Sequence, residues 1–92
     1  MRITLAERFQ QDVRGLDEFG RVAVLDAMLA LPKVLGQPHL HAGLGLRKIH
    51  PHGLWEVRVG LGLRLILALA ADEAKFVRVG SHDEVRRWLR SL

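Results

Sequence analysis

Between Leu54 and His82 stand three apolar runs rich in Val, Leu and Ile, LWEVRV, LRLILALA and KFVRV, with their arginines at even spacing, separated by Gly60 to Gly62 and by Ala71-Asp72-Glu73. A period of two bounded by turn residues predicts an antiparallel meander. Successive side chains on a strand point to opposite faces, so Trp55, Val57 and Val59 are expected on one face and Glu56 and Arg58 on the other. The second run separates Leu63, Leu65, Leu67 and Leu69 from Arg64, Ile66 and Ala68, and the third separates Val77 and Val79 from Phe76 and Arg78. A sheet with one buried face is therefore expected. Its wet face would carry Arg58, Arg64 and Arg78 with one carboxylate, Glu56.

Ahead of the meander the period changes. Arg2 to Leu5 has the Ile-Thr-Leu content of an edge strand. From Ala6 onward Phe9, Val13 and Leu16 fall at i, i+4 and i+7, which predicts a short amphipathic helix with no convincing N-cap and a last turn weakened by Gly15. Asp17 is placed to cap a second helix with the apolar stripe Val24, Leu25, Met28, Leu31 and Leu35, and Glu18 suits the dipole in its first turn. The two helices should form an αα-hairpin. Pro32 is expected to kink or end the second one near Leu31, and Gly36 and Pro38 to stop it.

A connector follows from His39 to Gly45, then a strand from Leu46 to His50 carrying Arg47 and Lys48, turned by Pro51-His52-Gly53 into the meander. After His82, Asp83 to Arg90 reads as a helix with Val85, Trp88 and Leu89 on one side. The predicted architecture is one α+β domain over residues 1–92: a four- to five-stranded antiparallel sheet, an N-terminal αα-hairpin on one face and a short C-terminal helix.

Composition narrows the function. Lys+Arg 14 against Asp+Glu 10 gives a formal charge of +4, which suits a phosphate backbone or an acidic partner. Cysteine is absent, so neither disulfides nor a thiolate metal site is available, and a reducing cytoplasm is compatible. MRITLAERF has no signal-like apolar run and no stretch reaches the roughly 18 apolar residues of a membrane span, so a soluble cytoplasmic protein with no membrane contact is expected. His39, His41, His50 and His52 form two H-x-H pairs, a spacing that binds zinc when both rings share a strand face. With no cysteine and a proline beside each pair, no metal or cofactor is expected.

The element order, together with GLGLRKIHPHGLWEVRV, the single arginine in GLRLILAL and VRVGSHDEV before the last helix, resembles the RelE/ParE superfamily of bacterial toxin-antitoxin toxins. The resemblance spans almost the whole chain, with ITLAERFQQDVRGLD at the opening strand and helix and EFGRVAVLDAMLALP at the second helix. It implies a RelE-like fold whose sheet is mixed at the N-terminal strand. It also implies a toxin that cuts mRNA in the ribosomal A site, as a metal-independent endoribonuclease inhibiting translation, and that is silenced by a cognate antitoxin. DNA would be touched only through the antitoxin complex.

By position Arg64 matches the arginine opening the fourth strand, Arg58 the basic residue on the strand before it, and His82 the residue ending the last strand. His82, Arg64 and Arg58 are thus the implied catalytic residues, with Lys48 and Arg78 joining the two arginines as RNA contacts. An imidazole with an ordinary pKa of about 6.5 can move either proton in RNA cleavage, and a guanidinium fork matches phosphate oxygens. Two structural readings stand beside these: Ser81 and Glu84 fit a capping box around His82, and Glu56 can pair with Arg64 across the sheet. Trp55 and Trp88 are expected to anchor the core in preference to stacking on bases. The absence of Tyr and the few lysines favour two alternatives within the fold, a gyrase poison or a non-enzymatic relic that only binds a partner.

Overall fold

The computed structural model describes residues 2–37, 43, 45–50 and 53–92. Most of the predicted connector lies outside these, as do His39, His41 and His52; of His50 only the backbone is described. The order is β1 (Arg2–Leu5), α1 (Glu7–Arg14), α2 (Glu18–Val34), β2 (Arg47–His50), β3 (Leu54–Val59), β4 (Leu63–Ala70), β5 (Glu73–Ser81) and α3 (His82–Arg90). The five strands make one sheet in the order β1-β5-β4-β3-β2. β1 runs parallel to β5 and the other pairs are antiparallel.

The apolar alternation of β3 and β4 sorts their faces as expected. Val57, Val59, Leu65 and Leu67 pack with Phe9, Val24, Ala27 and Leu31 of the two N-terminal helices, and Trp55, Leu63 and Leu69 edge the same cluster. Phe9 meets Phe76 at a ring-centroid distance of 5.6 Å. The caps follow the residue chemistry: α1 begins without a side-chain cap, whereas the Asp17 carboxylate accepts from Gly20 N at 2.7 Å.

Three expectations are corrected. In β5 the register shifts between Ile66 and Leu67 of β4, pairing Ile66 with Arg78 and Leu67 with Phe76, so Val77 is the extra residue of a bulge. Phe76 and Val79 therefore share the buried face, in place of Val77 and Val79. In α2 the helix runs through Pro32 to Val34. Pro32 lies on the exposed side, where water can satisfy the carbonyl that loses its donor.

The second sheet face is also not wet throughout. Ile66 is fully buried although it points away from the main core, and Glu56 is only 4% exposed. The cover is α3. A Cβ added to Gly80, which is paired with Arg64, would lie 3.4 Å from the Glu84 Cβ, so the last helix sits on the arginine side of the sheet. Among the described residues no helix is long and apolar enough to cross a membrane.

Candidate nucleic-acid interface

Arg58 and Arg64 are direct cross-strand partners in the β3–β4 hairpin, and the neighbouring pair on the β4–β5 side is Leu63 with Ser81. His82 follows Ser81 at once as the first residue of α3. The hairpin register and the strand-to-helix turn thus gather Arg58, Arg64 and His82 at one end of the sheet.

Ser81 fixes that turn. Its hydroxyl accepts from Glu84 N at 3.1 Å, and the Glu84 carboxylate accepts from Ser81 N at 3.0 Å. The cap is therefore Ser81, with His82 left to project from the first helical turn. The Ser81 backbone and hydroxyl bonds hold the Glu84 carboxyl below its ordinary value of 4.5, with smaller help from Arg87 and Arg78.

His82 borders an open hollow of about 460 Å³ together with Arg47, Lys48, Glu56, Arg86 and Leu89. Arg47 is paired with Glu56 and Lys48 with Trp55, so Arg47 lies on the Glu56 face and Lys48 only edges the hollow. Arg47 and Arg86 join the candidate site residues only in the folded structure. The even spacing of Arg47 with Ile49 was a signal for the first, but Arg86 needed the landing place of α3.

Glu56 Oε1 lies 3.3 Å from Arg47 Nη2 and 3.5 Å from Arg64 Nε. Arg64 also donates from Nη1 to its neighbour's carbonyl, Leu63 O, at 3.0 Å. The cross-sheet pair anticipated between Glu56 and Arg64 is present, and it holds the guanidinium in a largely buried position. Arg58 is exposed, its stem lying against Gly45.

Arg78 is engaged elsewhere. Its Nε donates to Asp12 Oδ2 of α1 at 2.8 Å, and its guanidinium carbon sits 5.5 Å from the centroid of a Trp88 ring. Trp88 thus anchors α3 through a cation–π contact. Arg78 ties α1, β5 and α3 together and is not gathered with Arg58 and Arg64. Among the described residues no three His, Asp or Glu side chains converge as a metal site would need.

No family model matches the sequence, and no curated protein is similar to it by sequence. Solved structures are similar in fold. The toxin–antitoxin complex RelB–RelE from Methanococcus jannaschii aligns at 20% identity over 92% of this chain and 96% of that one, with a TM-score of 0.68. YafQ from E. coli strain BL21(DE3) aligns at 21% identity over 92% and 98%, with a TM-score of 0.66. The intact E. coli RelBE complex aligns at 19% identity over 87% and 94%, with a TM-score of 0.63. The chain has the RelE-like α+β fold, the architecture of these toxins.

Proposed function

We propose that the protein is the toxin of a type II toxin-antitoxin pair, acting as a ribosome-dependent mRNA endoribonuclease in the cytoplasm. The observation that carries this reading is the gathering of Arg58, Arg64 and His82 at one end of the sheet, where His82 also borders a hollow edged by Arg47, Lys48 and Arg86. Cleavage needs no metal. The 2′-oxygen attacks the adjacent phosphorus, the 5′-oxygen of the next nucleotide leaves, one group takes the 2′ proton and another returns a proton to the leaving oxygen. Arg64 and Arg58 would hold the phosphate oxygens, and His82 would carry one of the two protons, a role worth roughly 10²- to 10⁴-fold. Lys48 would add a backbone contact from the edge of the hollow.

Arg78, paired with Asp12, would contribute field to this RNA surface through a side chain only 19% exposed. The antitoxin reading has separate support in an apolar face that a monomer would not be expected to leave open. On α2, Phe19 is 88% and Leu29 66% exposed, with Val22 and Leu25 between them. RelB and DinJ accompany the similar toxins in their complexes.

Inducing the protein in bacteria and mapping transcript ends tests the enzymatic reading. New cleavage sites in translated messages are expected, lost in Arg64→Ala combined with His82→Ala. Growth arrest without new ends would overturn it. One feature favours the gyrase-poisoning alternative: Glu56 and Asp12 neutralise part of the basic face. Trapped gyrase–DNA complexes in place of cut messages would select that reading.

A further inference from the structure

Glu56 is the only charged side chain that is buried among the described residues, and one of its oxygens faces two guanidinium groups. A carboxylate out of water is costly unless cations and hydrogen bonds compensate it. A sheet built for packing alone would place an apolar residue here, beside Ile66 and under α3. The partners are unequal: the Arg47 side chain is 66% exposed, whereas that of Arg64 is 18% exposed. The exposed arginine can swing away at little cost. The enclosed one has Nε turned to Glu56 and Nη1 turned to the Leu63 carbonyl, which leaves Nη2 without a protein partner among the described residues.

We propose that Glu56 is a positioning residue that aims Arg64 at the scissile phosphate and, by its own charge, weakens RNA binding at the same hollow. The proposal rests on the ribonuclease reading above and names no proton transfer by Glu56. Two guanidinium groups and one carboxylate leave a local charge of +1. Neutralising Glu56 raises it to +2, which tightens any polyanion, while releasing the clamp on Arg64 Nε. The two consequences act in opposite directions on binding and on rate. A residue that only supported the fold would impair both.

The test is single-turnover cleavage of messenger RNA on programmed ribosomes with purified protein, giving a half-saturating concentration and a maximal rate. For Glu56→Gln the half-saturating concentration is expected to fall severalfold and the maximal rate to fall about tenfold, as a misplaced phosphate-holding group would cause. In an Arg64→Ala background the same change should leave the rate unaltered, because the effect passes through Arg64. Equal rate losses in both backgrounds, or weaker binding with an unchanged rate, would overturn the proposal. If thermal unfolding shows that Glu56→Gln does not fold, Glu56→Asp keeps the charge but withdraws the carboxylate by one methylene. It should leave half-saturation within twofold and still slow the maximal rate, and an unaltered rate would overturn the proposal. Wild-type protein that cuts no message would instead refute the ribonuclease reading itself.

Discussion

Asp12 and Arg78, one on α1 and the other on β5, form a bidentate pair, with Arg78 Nε and Nη2 donating to Oδ2 and Oδ1 at 2.8 and 3.4 Å. The same Asp12 Oδ2 accepts from Val79 N at 3.1 Å, so one carboxylate satisfies both a guanidinium and a backbone donor. Asp12→Ala strands both donors in a largely enclosed site. A loss of about 2–3 kcal/mol is expected, below the full figure for a wholly buried pair because some solvent reaches both side chains. Chemical denaturation measures it. Arg78→Ala should lose a similar amount, and any fall in RNA affinity should track the unfolded fraction.

Arg58 should behave in the opposite way. It is exposed and no short-range ion pair holds it among the described residues, so Arg58→Ala should change stability by less than about 0.5 kcal/mol. If it contacts phosphate, affinity for single-stranded RNA should fall and the slope of log affinity against log salt should lessen by about 0.7. Fluorescence anisotropy at several salt concentrations reads both. An unchanged slope would place Arg58 off the backbone path.

Gly45 connects to the same side chain. Its φ is +65°, and a Cβ there would approach Arg58 Nε to 2.5 Å and Arg58 Cβ to 3.2 Å. Gly45→Ala should cost about 1–2 kcal/mol for the left-handed backbone and also push Arg58 aside. The expected result is lower RNA affinity with a stability loss larger than that of Arg58→Ala.

These contacts differ in how far residue types alone announce them. The faces of β3 follow from the alternation of Glu56 and Arg58 with Trp55, Val57 and Val59, those of β4 from Arg64 and the leucines at every second position, and the Asp17 and Ser81–Glu84 caps from side chains suited to free backbone donors. The pair of Glu56 with Arg64 was legible as well, since a tight hairpin leaves little choice of register. The β5 bulge was not. It inverts the parity of every later residue through the backbone at Val77, and a run of Phe-Val-Arg-Val satisfies either parity. Asp12 and Arg78 lie 66 positions apart and meet only because α1 leaves the parallel strand β1 beside the part of β5 that continues past its last pairing with β1 at Phe76. The apolar side of α3 was evident, but its landing on the arginine face depended on the direction of the turn at Ser81. Ile66 among the expected wet residues was the one hint.

The capping box should be visible in pH dependence. The folded-state pKa of Glu84 is depressed, so the ionised form stabilises the fold at pH values above the ordinary 4.5, and that contribution disappears as pH falls through the lower folded value. Glu84→Gln should therefore flatten part of the acid limb of the stability curve below about pH 4.5 and leave the basic limb unaltered. Ser81→Ala should cost about 1 kcal/mol at neutral pH and loosen α3 first. Hydrogen exchange across His82–Arg90 would report it.

Under the proposed function, antitoxin recognition and RNA cleavage should be separable on this fold. Val22, Leu25 and Leu29 repeat at intervals of three and four on the solvent side of α2, opposite the buried Val24, Ala27 and Leu31. Leu25 also lines a groove of about 390 Å³ between α1 and α2, floored by Phe9, Val13 and Val24 and bordered by Arg14 and Arg21. An amphipathic segment with an apolar ridge and acidic flanks would fit this surface. Leu25→Asp introduces a charge where such a ridge would sit while touching neither the sheet core nor the arginine end. On the proposed reading, the variant is expected to fold, to arrest growth as the wild type does, and to bind a cognate antitoxin at least tenfold more weakly, about 1.4 kcal/mol. Calorimetry with purified antitoxin and a neutralisation assay in cells measure the two halves. Full neutralisation of Leu25→Asp would move the docking surface away from α2, towards the hollow beneath α3.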